Sequence, residues 1–373
     1  MDKKKILIYP YDIEFCPVLR HAGILPGYTV AALVSPGGWG FTGRDAGRAD
    51  RGDRLNINVS GDFDGSLDLC DTVLFTEALR PLDFEKYILP KAQMAAESGK
   101  DIIFLRSAEE KSFTLLKEIC RKYNVRLTVL KDFEEEYTYR DLEFFGLQKI
   151  NTPVIFVTGL YERTQKFELQ LSLREALSKL GYKVSQIGSR NYCGLLGFHS
   201  FPRFMYGTSL AEEKKIMAFN HYVKELEVRE EPDVFIIGIP GGIMKINDTF
   251  TGRFGILAYE ASQAIAPDAA VVSTFYEAFD SDYFQKIATS LKYKLGFDVS
   301  CFNLSNVKFD WEVSRENSKE SYIMLDSSFI DKKKADFISL QTPVFNTLNN
   351  IDRTGMANFL IDTLAYYGEI ESV

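Results

Sequence analysis

Short apolar runs alternate with amphipathic stretches along most of the chain. In the first third, Lys5–Tyr9, Thr29–Val34, Asp71–Thr76, Asp101–Leu105 and Val125–Val129 are rich in Val, Ile, Leu and Phe. Each is too short for a helix and is bounded by polar residues, Gly or Pro, which predicts buried strands. Between them, Asp12–Ala22, Phe84–Ser98 and Glu109–Tyr123 predict helices, with Asp12 as a cap for the first. Phe113, Leu116 and Ile119 share one face of the third. Strands alternating with helices describe a parallel sheet covered on both faces.

The alternation resumes at Pro153. Val154–Thr158 predicts a strand, Gly159 a sharp turn, and Thr164 a helix cap. Leu169, Leu173, Ala176, Leu177 and Leu180 then recur at helical spacing, and Gly181 stops the helix before a strand over Tyr182–Ile187. Further strands are expected at Asp233–Ile237, Ala269–Ser273 and Asp298–Leu304, with helices over Leu210–Val228, Phe254–Ile265, Tyr283–Tyr293 and Asn349–Tyr367. The apolar body of Phe254–Ile265 predicts a central helix. The fold class is therefore α/β, with two doubly wound parallel-sheet domains. They are a Rossmann-like domain over 1–150 and a degenerate P-loop-like domain over 151–373. Lys131–Asn151, with Glu134, Glu135 and Glu136 in a row, reads as a charged bridge.

The turn after Val154–Thr158 carries the most chemistry. A phosphate-binding loop needs Gly, four residues, then Gly-Lys-Ser/Thr between a strand and a helix. Here Gly159 opens the frame, but Thr164 stands for the second glycine, Gln165 for the lysine and Lys166 for the Mg²⁺-binding hydroxyl. Glu162 adds a negative charge. A helix N-terminus still favours anions, and Arg163 and Lys166 can assist. The alternative is an ordinary strand–helix turn. A nucleotide with Mg²⁺ is the cofactor this context allows. The first domain has YPYDIEF where a dinucleotide fingerprint would stand, so no NAD site is expected there.

Loops at the carboxyl ends of neighbouring strands share one crevice in such folds. Arg190, Asn191, His199 and Arg203 are therefore expected to face the Gly159 loop. The competing reading makes Tyr192, Leu195, Leu196, Phe198 and Phe201 a hydrophobic lid or a dimer contact, with His199 structural. Gly238-Ile-Pro-Gly-Gly ends another strand without the carboxylate that organises Mg²⁺ in hydrolysing relatives of the fold, while Gly241 and Gly242 allow a close backbone approach. Asn303 and Asn306 are candidates to lie by a base. In the first domain, Ser35–Asp53 holds Trp39, Arg44, Arg48 and Arg51, with Arg54 beside it. It reads either as an anion- or peptide-binding loop or as a mobile surface loop.

Composition narrows the field. A net charge of −8 argues against nucleic acid as a partner. The N-terminus lacks the apolar run of a signal peptide, and no stretch approaches the ~18 apolar residues of a membrane span. Cys16, Cys70, Cys120, Cys193 and Cys301 are scattered without CxxC, which fits reduced thiols in a cytoplasmic protein. His21, His199 and His221 lack metal-ligand spacing, so no metal site is expected.

Two stretches, TGLYERTQKFELQLSLREALSKLGYKVSQIGSRNYCGLLGFHSFPRFM and PDVFIIGIPGGIMKINDTFTGRFGILAYEASQAI, resemble a family of peptide maturation system proteins from clostridia and their relatives. Such proteins are typically encoded near short Cys-rich precursor peptides and radical SAM maturation enzymes. The resemblance implies a role in making a ribosomally synthesised, modified peptide, with the precursor peptide or the radical SAM maturase as partner. It implies no particular reaction and no catalytic residue. The expected function is an accessory or binding protein that holds the peptide or a small anionic ligand. The alternatives are an ATP-dependent transferase or ligase acting on the peptide, and a structural partner in a maturase complex, with homo-oligomerisation possible. The residues expected to bind are Gly159, Arg163, Thr164, Lys166, Arg190, Asn191, His199, Gly241 and Gly242.

Overall fold

The computed structural model of the chain describes residues 3–133 and 146–370, with residue 281 and the last five by their backbone alone. The acidic run Glu134–Glu136 lies outside the described residues. Two compact units emerge: Met1–Glu134 with Gly194–Gly197, and Glu135–Cys193 with Phe198–Val373.

The first unit contains β1 (Lys4–Tyr9), α1 (Cys16–Arg20), β2 (Tyr28–Val34), β3 (Val59–Ser60), α2 (Asp64–Leu67), β4 (Thr72–Phe75), α3 (Leu89–Glu97), β5 (Asp101–Phe104), α4 (Glu110–Lys122) and β6 (Leu127–Val129). The strands pair in parallel in the order β3-β2-β1-β4-β5-β6, the order of a dinucleotide-binding sheet. Leu7, Tyr9, Val73, Phe75, Ile102 and Phe104 point to one core. Asp12 does not cap α1, which Phe15 precedes without a side-chain bond. Instead its carboxylate accepts from the amides of Glu14 (2.9 Å) and Leu79 (2.6 Å), tying the turn after β1 to the loop after β4. The helix expected from Phe84 begins as a π-turn over Phe84–Ile88, capped by Asp83, before α3.

The Arg-rich loop after β2 is held from inside. Asp45 accepts from the amides of Gly47 and Leu55, both at 2.9 Å. Asp50 receives Arg20 Nη2 at 2.7 and 2.8 Å and the Cys16 thiol at 3.1 Å. Both side chains of the Arg20–Asp50 pair are 4% exposed, and removing one partner of such a pair costs ~3–5 kcal/mol. The loop is thus tied to α1 and to itself by these polar contacts.

The second unit contains β7 (Val154–Gly159), α5 (Lys166–Lys179), β8 (Val184–Gly188), β9 (His199–Ser200), α6 (Glu212–Glu230), β10 (Val234–Gly238), α7 (Ile256–Ala264), β11 (Ala269–Thr274), α8 (Ser281–Leu295), β12 (Cys301–Leu304), β13 (Val307–Phe309), α9 (Trp311–Asn317), β14 (Tyr322–Met324), α10 (Ser327–Lys334), β15 (Val344–Phe345) and α11 (Asn350–Ile370). Seven strands form a parallel sheet in the order β15-β12-β11-β7-β10-β8-β9, and β13 and β14 form a separate antiparallel hairpin. From β7 the chain winds first to β8 and β10 on one side, then to β11, β12 and β15 on the other. That reversal places the topological switch point beside β7, where open α/β sheets bind ligands.

One face of this sheet buries Leu169, Leu173 and Leu177 of α5 with Met356 and Leu360 of α11. The other buries Phe219 and Val223 of α6, Ala258 and Ala261 of α7, and Phe284 and Leu291 of α8. Leu180, expected on the inner face of α5, is exposed at its C-terminal end. The helix expected over Phe254–Ile265 starts at Ile256 and packs between α6 and α8. Ala258, Glu260, Ala261 and Ala264 are buried and Leu257 packs against the core, while Ile256 and Tyr259 are exposed.

Candidate functional site

The loop between β7 and α5 curls so tightly that Gly159 admits no side chain. A Cβ there would lie 2.5 Å from Thr164 Oγ1 and 2.7 Å from the Tyr161 carbonyl. Arg163 (φ 58°) and Gln165 (φ 59°) both adopt the left-handed conformation that disfavours side chains. Gln165 directly precedes α5 and makes no side-chain cap. Thr164, between them, is fully buried, and its hydroxyl donates to the Tyr161 carbonyl at 3.3 Å. The helix cap expected of Thr164 is therefore not formed, because that hydroxyl closes the loop on itself.

Neighbouring strand ends hold this shape. The Leu160 amide donates to the Ser273 carbonyl at 2.7 Å, and the Ser273 hydroxyl donates to the Thr164 carbonyl. Asn303 Nδ2 donates to Ser273 Oγ (2.8 Å), while its Oδ1 accepts from the amide and hydroxyl of Thr347, both at 3.0 Å. The Asn306 amide donates to Gln165 Oε1 at 3.3 Å. Asn303 and Asn306 are fully buried, so both serve the loop's support and neither lies open to a base.

On the other side, the amides of Ile243 and Met244 donate to the carbonyls of Gly159 and Leu160, each at 3.0 Å. A Cβ on Gly242 would sit 3.0 Å from Tyr161 Cα, and Gly241 has φ 76°. The glycines after β10 thus permit the close approach expected of them, to the Gly159 loop itself.

Lys166, the first residue of α5, folds back across the loop. Its Cδ lies 3.3 Å from where a Gly159 Cβ would be, and its ammonium donates to the Gly241 carbonyl. Burial draws its pKa down to about 7, with the Glu162 carboxylate opposing and the Arg190 guanidinium reinforcing that shift. Lys166, Glu162 and Arg190 therefore share one neighbourhood. Arg190 also packs on the Phe167 ring at 5.7 Å. Its loop is set by Gln170, which accepts from the Ser189 amide and donates to the Ser189 hydroxyl, both at 3.0 Å. A Cβ on Gly238 would meet that Gln170 side chain at 2.2 Å. Glu162 is exposed, and the Arg163 guanidinium lies 5.9 Å from the Tyr322 ring centre. Among the described residues, the backbone amides of Tyr161, Glu162, Thr164 and Gln165 donate no hydrogen bond. These amides lie just ahead of α5, with the Lys166 and Arg190 side chains nearby.

The remaining expected residues lie differently. His199 Nε2 is 2.5 Å from Glu230 Oε1, and its ring stands edge-on to Tyr222. Burial works to raise the Glu230 carboxyl, yet His199 beside it holds it at about 2. His199 therefore ties edge strand β9 to the end of α6. Asn191 and Arg203 are exposed. His221 bonds Gln148 Nε2 and the Gly146 carbonyl, and among the described residues no group of three His, Cys, Asp or Glu is placed to hold a metal. Sequence reasoning did not single out Ser273 or Gln170. The only signal for Ser273 was a hydroxyl at the end of a strand that proves to adjoin the loop. Among the described residues, no helix is long and apolar enough to cross a membrane.

No family model and no curated protein matches the chain. Among solved structures, it is similar to a DUF1611 family protein from Anabaena variabilis, at 10% identity and a TM-score of 0.63, over 98% of this chain and 100% of that one. A homoserine dehydrogenase from S. aureus aligns over 36% of each chain, at 11% identity and a TM-score of 0.27. An oxidoreductase from Bacillus subtilis aligns over 51% of this chain and 57% of that one, at 15% identity and a TM-score of 0.28. The chain thus has, over nearly its whole length, the α/β fold of a DUF1611 family protein.

Proposed function

We propose that the second unit binds a phosphate-bearing anion in the Gly159–Lys166 loop, and that the chain acts as a binding protein rather than a hydrolase. The observation that carries this reading is the placement of Lys166. It stands one position beyond the lysine of an intact phosphate loop, yet its side chain turns back over Gly159 into the crevice. Unpaired loop amides and Arg190 supply further donors of the right sign. β10 ends in glycines and a proline without a carboxylate, so the group that would organise Mg²⁺ and an attacking water at that strand end is not present.

The resemblance of 158–205 and 232–265 to peptide maturation system proteins supports placing this binding step in the production of a modified Cys-rich peptide. The precursor peptide or its radical SAM maturase would be the partner. The test is calorimetric titration of the full chain with pyrophosphate, Mg·ATP and Mg·GTP. Saturable binding that weakens at least ~10-fold in Lys166→Ala or Arg190→Ala is expected, the scale of a lost charge-assisted hydrogen bond. Absence of binding at millimolar concentrations of all three ligands would overturn the reading.

A further inference from the structure

We propose that the aromatic face beside the loop is a stacking platform for a purine base, which makes the anion in the loop the polyphosphate of a purine nucleotide. This inference rests on the anion-binding reading of the same loop. It starts from a line of rings leaving the loop. Tyr161 is stacked on Phe275, with centroids 4.6 Å apart and planes 22° from parallel. Phe275 lies 6.0 Å from Phe309 at 23°. Phe309 meets Trp311 edge-on at 4.7 Å and Tyr322 at 5.5 Å. The middle of the line is closed and its far end is the most open, while Tyr161 at the loop is half-buried. Phe275 and Phe309 are buried, Trp311 is 42% exposed and Tyr322 is half-buried.

The platform adjoins the tip of the loop, since Arg163 lies over Tyr322 and both Glu162 and Arg163 act electrostatically on the Tyr322 hydroxyl. Its polar rim suits a purine. Trp311 Nε1 donates to Glu277 Oε1 at 3.0 Å, which fixes the indole. The carboxylate keeps acceptor sites for the amino and imino hydrogens of a base. Exposed Trp311, held by its own hydrogen bond, and Tyr322, with the Arg163 guanidinium over it, flank Phe309, and together they match a flat heterocycle joined to a charged tail. A bare inorganic anion would use none of it.

The chain has two tryptophans, Trp39 and Trp311, so Trp39→Phe in the full chain leaves Trp311 as the sole indole emitter. Titration of that variant with pyrophosphate, ATP and GTP reads the platform directly. At least one purine nucleotide is expected to quench Trp311 and to bind ~5- to 100-fold more tightly than pyrophosphate, the scale of one base stacked on an aromatic side chain. Trp311→Ala, followed by calorimetry, should remove that advantage and leave pyrophosphate affinity unchanged, and Trp311→Phe should restore most of it. The unchanged pyrophosphate affinity also reports that the variants are folded. Nucleotides that bind no more tightly than pyrophosphate and leave Trp311 emission unaltered would overturn the platform while sparing the anion site. Failure of all three ligands to bind would overturn both.

Discussion

Lys166 carries the residue-scale consequence with the clearest sign. Its ordinary value of 10.5 falls to about 7 in the fold, chiefly through burial. Its positive charge is therefore present below about pH 7 and lost above it. The affinity of the native chain for pyrophosphate, taken relative to Lys166→Met, should be greatest near pH 6 and converge on the variant near pH 8. Using the ratio cancels the ligand's own titration, and parallel curves would assign the charge to another group. For folding the same shift acts in the other direction. Between pH 7 and 10.5 the unfolded chain holds the proton that the native lysine has lost, so this residue's contribution to stability rises with pH there. A second residue, Gly238, sets the position of Arg190 through packing. Gly238→Ala would press a methyl group onto Gln170 at 2.2 Å. A loss of ~1–3 kcal/mol, the usual cost of overpacking, should appear in thermal denaturation together with weaker anion binding.

At the scale of elements, the turn that leads into α7 holds strain. Gly252, Arg253, Phe254 and Gly255 have consecutive φ values of 53°, 54°, 58° and 73°, a short left-handed turn with two side-chain-bearing residues in it. Lys294 clamps it by donating to the carbonyls of Ile243 (2.8 Å) and Phe254 (3.0 Å). Phe254 is 56% exposed, so its side chain adds little packing against its conformational cost of ~1–2 kcal/mol. Phe254→Gly should raise the unfolding midpoint by a few degrees, and an unchanged or lowered midpoint would show that the ring is needed. His199→Ala should do the reverse, lowering the midpoint because Glu230 loses its partner, with pyrophosphate affinity unaffected. Strands such as β7, β10 and β11 were legible in the sequence because they are buried along their whole length, and continuous apolar runs mark that state. Edge strands β3 and β9, two residues each, leave no such mark. The glycine pairs announced a close approach, but not what would approach. Ser273, Gln170 and Lys294 were invisible because their roles depend on partners 109, 19 and 51 residues away.

For the whole molecule, burial of every cysteine gives a single measurable signature. Cys16, Cys70, Cys120, Cys193 and Cys301 are all buried and unpaired by disulfides. Loss of solvent pushes each thiol up, Cys120 to about 11 and Cys193 to about 12. A thiol reagent at pH 8 should find essentially none of them in the native chain and all five after denaturation. Rapid labelling of the native chain would contradict this burial. Asn303 sits midway along a line of bonds from the Gly159 loop to Thr347, just past edge strand β15. Its carboxamide is buried, and one of its two protons is donated to the very hydroxyl that grips Thr164. In a nitrogen-edited spectrum they form a native gauge of occupancy, a resonance pair that ligand never touches but whose frequency shifts when the loop is filled.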